Sequence, residues 1–140
     1  MLYNIKPSLW GSHFWRSMHY LTVAYPDNPT DDDKRNAEKF FLSVGNILPC
    51  QTCRVHFAQN LQRYPLTANV LSCRYNLINW LNDIHNEVNT RTNKKRWTYD
   101  DIIAEYTTQP KQSYTIELIT IFLLILLMVI IIVYMKRQKY

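Results

Sequence analysis

Glycine and cysteine are both scarce in this 140-residue sequence, and each shortage excludes a class of protein. Two glycines, together with little alternation of apolar and polar residues, predict a helical chain rather than a sheet. The three cysteines, Cys50, Cys53 and Cys73, are too few for the disulfide framework of a small secreted domain. The opening MLYNIKPSLWG also lacks the apolar segment of a signal peptide. The length allows one compact domain.

Capping, turn and periodicity signals divide most of the chain into five helices. Thr30 precedes three aspartates and Thr98 precedes Asp101, and a hydroxyl followed by carboxylates is a typical helix start. Proline-containing turns close the first three helices. A polar stretch, 89–95, loses its periodicity and is predicted to be a loop. The predicted helices span approximately 8–24, 30–48, 50–63, 72–88 and 98–107.

An apolar run near the C-terminus predicts a membrane anchor. Residues 118–135 carry no charged side chain, and Lys136, Arg137 and Lys139 follow at once. Eighteen helical residues extend about 27 Å, close to the ~30 Å hydrocarbon core of a bilayer. We therefore expect a folded domain at 1–109, a linker at 110–115, a transmembrane helix at 116–135 and a basic tail at 136–140. Residues 1–115, which precede the apolar run, have a net charge of +3. They contain no stripe of basic residues typical of nucleic-acid binding.

The Cys-x-x-Cys at Cys50 and Cys53 is the first chemical signal. It falls at the predicted start of a helix, where unpaired N–H groups and the helix dipole favour a thiolate. The spacing brings both sulfurs to one face, so they can form a small, reducible disulfide ring. The pair alone also allows a zinc site completed by Cys73 and either His56 or His85, or no chemistry at all.

Two further motifs resemble the Erv/ALR family of sulfhydryl oxidases. One is Trp10-Gly-Ser-His-Phe-Trp-Arg-Ser-Met-His19, followed by Tyr25-Pro26. The other is His85-Asn-Glu-Val-Asn89, followed by Asn-Lys-Lys-Arg-Trp97, with the cysteine pair lying between the two. The resemblance covers roughly residues 8–107, and it is greatest to the short forms of large DNA viruses. It implies an all-α fold: a four- to five-helix bundle, here with a C-terminal transmembrane helix.

The resemblance also implies FAD as cofactor and a set of site residues. Cys50 and Cys53 would be catalytic, with Cys53 beside the flavin ring, and no metal is expected. One wall of the cofactor site would be formed by Gly11, Trp15, His19 and Tyr25. The other wall would be formed by His85, Asn86, Val88 and Asn89, with Lys94 and Trp97 closing over the nucleotide.

The implied reaction transfers electrons from a protein dithiol through the cysteine pair and FAD to oxygen, and releases hydrogen peroxide. Residues 1–49 and 74–140 contain no cysteine, so the second, shuttle pair of many cellular members is absent. The substrate would then meet Cys50 directly, and a small thioredoxin- or glutaredoxin-like carrier is the expected partner. Dimers are frequent in the family, so a homodimer is a further expectation.

Two other interpretations remain at this point. One is a zinc-stabilised, membrane-tethered interaction module. The other is a flavin-free helical adaptor in which the cysteines are incidental. For location, we expect a single-pass protein anchored at its C-terminus in an internal membrane of a host cell or in a virion membrane, with the side of the catalytic domain left open.

Overall fold

The computed structural model describes residues 4–108 and 115–137, and every regular element in these ranges is helical. The chain divides into two compact units, Met1–Thr108 and Gln109–Tyr140. The first unit contains five α-helices and a 3₁₀-helix, Val70–Ser72, and the second contains α6, Thr115–Arg137. The five helices of the first unit are α1 (Pro7–Val23), α2 (Asp31–Ile47), α3 (Gln51–Arg63), α4 (Arg74–Arg91) and α5 (Tyr99–Thr107).

Helix α4 lies at the centre of the first unit and contacts α1, α3 and α5, while α2 packs on α3. Its Ile78, Leu81 and Ile84 have no exposed surface. Leu81 and Ile84 pack in a core that includes Met18 of α1 and Phe41 of α2. The all-α bundle of four to five helices that the sequence predicts is confirmed, with five α-helices among the described residues of the first unit.

Both predicted helix caps, at Thr30 and Thr98, are present, and each forms a capping box. The Thr30 hydroxyl accepts a hydrogen bond from the Asp33 amide while the Asp33 carboxylate accepts one from the Thr30 amide, and Thr98 and Asp101 do the same for α5. These reciprocal bonds satisfy amides that have no partner inside the helix. The starts of α2 and α5 are thus determined by local sequence.

The predicted end of α4 is wrong. We predicted a loop from residue 89, yet the helix continues to Arg91. It ends with Asn93 at a φ of 54°, where the Asn93 and Lys94 amides donate to the carbonyls of Thr90 and Asn89. This is a Schellman motif, which asparagine supports because it tolerates the left-handed conformation better than most residues. The polar residues 89–91 therefore belong to the end of a helix and not to a loop.

Helix α6 carries the apolar run of the second unit. The side chains described here, 118–131, 134, 135 and 137, are exposed. The predicted linker at 110–115 lies almost entirely outside the described residues. Across the described part of the chain, no helix has both the length and the apolar character needed to cross a membrane.

The close approach of α2 and α3 gives a test of the packing. A Cβ at Gly45 would lie 2.9 Å from Cδ1 of Phe57, a ring that is itself in the core, whereas a Cβ at Gly11 would meet nothing within 4 Å. Gly45→Ala should lower the free energy of unfolding, because overpacking costs about 1–3 kcal/mol and exceeds a helix-propensity gain of up to about 1 kcal/mol.

Gly11→Ala is the matched control, and it should raise stability by up to about 1 kcal/mol in the ligand-free protein. Urea unfolding followed by circular dichroism measures both changes. Equal stabilisation by the two substitutions would contradict the packing described for α2 and α3.

Candidate functional site

Cys50 and Cys53 form a disulfide at the start of α3. Cys50 is the residue that caps the helix, and its Sγ accepts a hydrogen bond from the Cys53 amide at 3.2 Å. The sulfur therefore lies at the positive end of the helix dipole, where a thiolate is stabilised once the disulfide is reduced. The side chain of Arg54 donates to the carbonyl of Leu48 and so fixes the turn that leads into the pair.

The first residues of the described chain lie beside this disulfide. The Ile5 amide donates to the Pro49 carbonyl at 2.8 Å, and the Asn4 side chain accepts from the Gln51 amide at 3.3 Å. These two bonds flank Cys50, which is 6 % exposed. Cys53 is the more accessible cysteine of the pair. A thiol approaching Cys50 must pass this N-terminal segment.

A cavity of about 530 Å³ opens against the disulfide between α1, α3 and α4. Both cysteines line it, and the rest of the lining is largely apolar and aromatic. Three of the predicted cofactor residues share the cavity: Gly11 and Trp15 on α1, and Val88 on α4. Its volume lies within the ~300–1,000 Å³ of small-molecule sites. The cavity therefore combines a redox-capable pair with space for a ligand.

The predicted histidines join α1 to α4 next to the cavity wall. Nε2 of His19 lies 2.9 Å from Nδ1 of His85, and the His85 ring stacks on Trp15 with centroids 4.1 Å apart. His19 has no exposed surface, and its buried Nδ1 has no hydrogen-bond partner among the residues that the structure describes. Burial, with a smaller effect from His85, lowers the pKa of His19 to about 3. Burial and the nearby Lys94 lower the pKa of His85 to about 4, so both rings are neutral at pH 7.

Three predicted asparagine and tryptophan residues form a supporting network behind the histidines. The Asn86 side chain both accepts from the Trp97 amide, at 2.7 Å, and donates to the Trp97 carbonyl, at 2.8 Å. Asn89 is buried and donates to Asn86 at 3.5 Å. Asn86 therefore positions Trp97, and Trp97 in turn contacts His85 with ring centroids 6.4 Å apart. Lys94 is exposed at the end of α4.

Tyr25 is the predicted site residue that the structure places elsewhere. Its hydroxyl donates to the Leu71 carbonyl at 3.0 Å, and its ring is buried in the core. It lines a separate, smaller hollow of about 310 Å³ together with residues of α1, α2 and α4. Its position is explained by packing of the turn after α1.

Sequence reasoning missed three residues at the site. Tyr106 of α5 stacks on His19 with centroids 4.9 Å apart. Asn60 and Arg91 both line the cavity, and they are hydrogen-bonded to each other at 3.0 Å. Tyr106 follows no recognisable motif. Asn60 carried a usable signal, because a polar residue seven positions after Cys53 lies on the same face of α3.

The zinc interpretation lacks the cluster that it requires. Within residues 4–108 and 115–137, no three histidine, cysteine, aspartate or glutamate side chains are placed to hold a metal ion. Cys73 is a free, partly buried thiol, while Cys50 and Cys53 are bonded to each other.

Known proteins similar to this chain were identified by sequence and by fold. The model of the Erv1/Alr family matches residues 12–113. A probable FAD-linked sulfhydryl oxidase of Acanthamoeba polyphaga mimivirus is 44 % identical over 110 residues, which are 77 % of each chain. A putative FAD-linked sulfhydryl oxidase of Invertebrate iridescent virus 3 is 31 % identical over 103 residues, 74 % of this chain and 69 % of that protein.

Solved structures share the fold. The yeast Erv1 core matches with a TM-score of 0.66 at 24 % identity, over 73 % of this chain and 84 % of that one. The FAD binding domain of Erv1 from Saccharomyces cerevisiae matches with a TM-score of 0.67 at 22 % identity, over 74 % and 95 % of the respective chains. At these identities the likeness establishes the helical architecture.

The buried histidine pair predicts a pH-dependent stability. Between about pH 4 and pH 6.5 the unfolded chain binds more protons than the folded one, because the pKa values of His19 and His85 are lowered by folding. The free energy of unfolding should therefore fall as the pH decreases from 6.5, by at most about 1.4 kcal/mol per pH unit for each histidine. Urea unfolding of the ligand-free protein at pH 5.0–7.5 measures this slope.

His19→Gln should reduce the slope, whereas His13→Gln should leave it as in the wild type, because the side chain of His13 is in solvent. A wild-type stability that stays level from pH 7 to pH 5 would show that the pair is not buried as described.

Proposed function

Because this chain belongs to the Erv1/Alr family, we propose that it is an FAD-linked sulfhydryl oxidase that forms disulfide bonds in protein substrates. The reaction converts a protein dithiol and oxygen into a disulfide and hydrogen peroxide. The observation that carries this proposal is the Cys50–Cys53 disulfide on the wall of a ligand-sized cavity. A zinc-stabilised module would have no use for a ligand-sized cavity beside the cysteine pair.

The residues around the cavity fit a flavin. The ring is flat and largely apolar, and it requires the aromatic and aliphatic surface that Trp15, Phe14 and Val88 supply. At Gly11, a Cβ would meet no protein atom within 4 Å, so this part of the wall is open to a ligand. Within residues 4–108 and 115–137 the buried Nδ1 of His19 has no hydrogen-bond partner, so it can bond a polar atom of the cofactor. The proposed binding residues are Gly11, Trp15, His19, His85, Asn86, Val88, Asn89, Lys94 and Trp97. Tyr25, which the resemblance also implies, packs in the core and lines the other hollow.

The cysteine pair carries out thiol–disulfide exchange. A substrate thiolate attacks Sγ of Cys50, the Cys50–Cys53 bond breaks, and Cys53 leaves as a thiolate. The second substrate thiolate then attacks the substrate sulfur of the mixed disulfide and expels Cys50. The helix N-terminus favours this second step, because it stabilises the Cys50 thiolate that leaves. Both cysteines end reduced, and the substrate ends with a disulfide.

When bound, the flavin supplies the two-electron redox chemistry that couples the reduced pair to oxygen. The chain contributes the position of Cys53 on the cavity wall, where this residue is partly exposed. The neutral His19–His85 pair adds no positive charge to the pocket at pH 7. Trp15, stacked on His85, contributes an apolar ring surface to the cavity wall.

The substrate is proposed to present its dithiol directly to Cys50. Apart from Cys50 and Cys53, the chain contains one cysteine, Cys73, so it has no second pair to relay electrons. A small thioredoxin- or glutaredoxin-like carrier with an exposed dithiol suits this arrangement. A homodimer belongs to the same proposal and rests on the family alone.

Cysteine variants test the function. Purified wild-type protein should be yellow and should oxidise dithiothreitol with one hydrogen peroxide formed per oxygen consumed. Cys50→Ser and Cys53→Ser should retain bound flavin but lose at least about a thousandfold in turnover, because no exchange of the pair remains. Cys73→Ser is the matched control and should oxidise the dithiol at the wild-type rate. A colourless protein that leaves the dithiol reduced would refute the proposal.

A membrane anchor at the C-terminus is also proposed, in an internal membrane of a host cell or a virion membrane. It is supported by the charge-free run at 118–135 and by the three basic residues that follow it. The described side chains of this run are apolar and exposed, which is costly in water and favourable in lipid.

Charge substitutions in this run test the anchor. The expressed full-length chain should remain in the membrane pellet after an alkaline carbonate wash. Leu124→Arg combined with Leu127→Arg should release it, because arginine near the centre of a span costs about 2.5–3.5 kcal/mol each. Leu124→Ile with Leu127→Ile is the control that keeps the run apolar. Recovery of the wild-type chain in the carbonate supernatant would exclude a membrane-spanning anchor.

A further inference from the structure

Asn60 is a buried polar residue on the wall of the cavity. It is 2 % exposed, and its Oδ1 accepts a hydrogen bond from Nη2 of Arg91 at 3.0 Å. Its Nδ2 is one of three buried side-chain polar atoms without a hydrogen-bond partner among the described residues. Buried amide groups without a partner are rare, because an unmade hydrogen bond costs the full desolvation of the donor.

Arg91 fixes which end of the amide remains free. A guanidinium group can only donate hydrogen bonds, so the amide must turn its oxygen toward Arg91. The amide nitrogen is then left as a donor, and rotating the group to offer its oxygen elsewhere would break the Arg91 bond. The partner that Asn60 lacks must therefore be a hydrogen-bond acceptor.

The location of Asn60 indicates which ligand group supplies the acceptor. Asn60 and Cys53 are seven residues apart on α3, so they lie on the same helical face about 10.5 Å apart along the axis. Both line the cavity that Gly11, Trp15 and Val88 also line. A fused three-ring system that touches Cys53 spans a distance of this order. Its carbonyl oxygens and ring nitrogens are hydrogen-bond acceptors of the kind that the Nδ2 of Asn60 requires.

We propose that the Asn60 side chain, held in place by Arg91, is a binding residue for the flavin ring and donates a hydrogen bond to an acceptor on that ring. The inference rests on the proposed function, since it requires flavin in the cavity. Arg91 acts as a positioning residue, and its charge lies on the same side. A donor and a cation at the ring favour the reduced, electron-rich form, so the pair raises the reduction potential of the bound flavin.

Asn60→Leu tests this assignment, because its effect on the melting temperature should have opposite signs in the ligand-free and the flavin-bound protein. In the ligand-free protein the substitution should leave the melting temperature unchanged or raise it, since it removes a buried donor without a partner. In the flavin-bound protein it should lower the melting temperature, and FAD should bind roughly tenfold more weakly. If reduced flavin loses ten times more affinity than oxidised flavin, the midpoint potential falls by about 30 mV.

Three companion variants separate contact from structural support. Gln59→Leu makes the same change at the exposed neighbouring position and should alter neither affinity nor potential. Arg91→Ala should lower both, because the amide is no longer held with its nitrogen free. Arg91→Lys retains one donor for Oδ1 and should restore most of the potential.

The proposal is overturned if Asn60→Leu binds FAD with the wild-type dissociation constant and potential. It is also overturned if the substitution lowers the melting temperatures of the ligand-free and flavin-bound forms equally, which would indicate a bond to an internal water. Weaker FAD binding with an unchanged potential would exclude contact with the ring. Failure of the proposed function is distinguishable, because in that case the wild-type chain itself would bind no FAD.

Discussion

Burial of α4 between α1, α3 and α5 is the constraint on which the remaining structure depends. Its Ile78, Leu81 and Ile84 pack into the core without exposed surface. In its C-terminal half, the polar residues Asn86 and Asn89 are buried as well. Buried polar groups require partners, so this half of α4 determines where the neighbouring loop and the histidine of α1 must lie.

Two interactions follow from that requirement. Nδ1 of His85 is hydrogen-bonded to Nε2 of His19 at 2.9 Å, and this bond joins α1 to α4. The side-chain amide of Asn86 accepts a hydrogen bond from the backbone N–H of Trp97 and donates one to its carbonyl. These two bonds hold the segment between α4 and α5 in place. The aromatic rings beside the cavity are thus fixed by hydrogen bonds made behind them. This arrangement provides a rigid wall for a flat cofactor before any cofactor binds.

The disulfide is positioned by a different set of contacts. Gly45 lets α2 approach the Phe57 ring closely, and this brings the start of α3 against the cavity. The Cys53 amide and the N-terminal segment then surround Cys50 with hydrogen bonds. Cys53 and Asn60 therefore lie on one face of α3, two turns apart, and both line the cavity.

The sequence alone determined the features that depend on neighbouring residues. Capping at Thr30 and Thr98, the cysteine pair at a helix start and the apolar stripes are all local, because hydrogen bonds across three or four residues and helical periodicity require no knowledge of the fold. Only the tertiary structure decided that Tyr25 lies away from the cavity, that Asn86 supports Trp97, and that Asn60 meets Arg91. These depend on contacts between residues 11 to 46 positions apart, which are set by how the helices pack and which no short motif encodes.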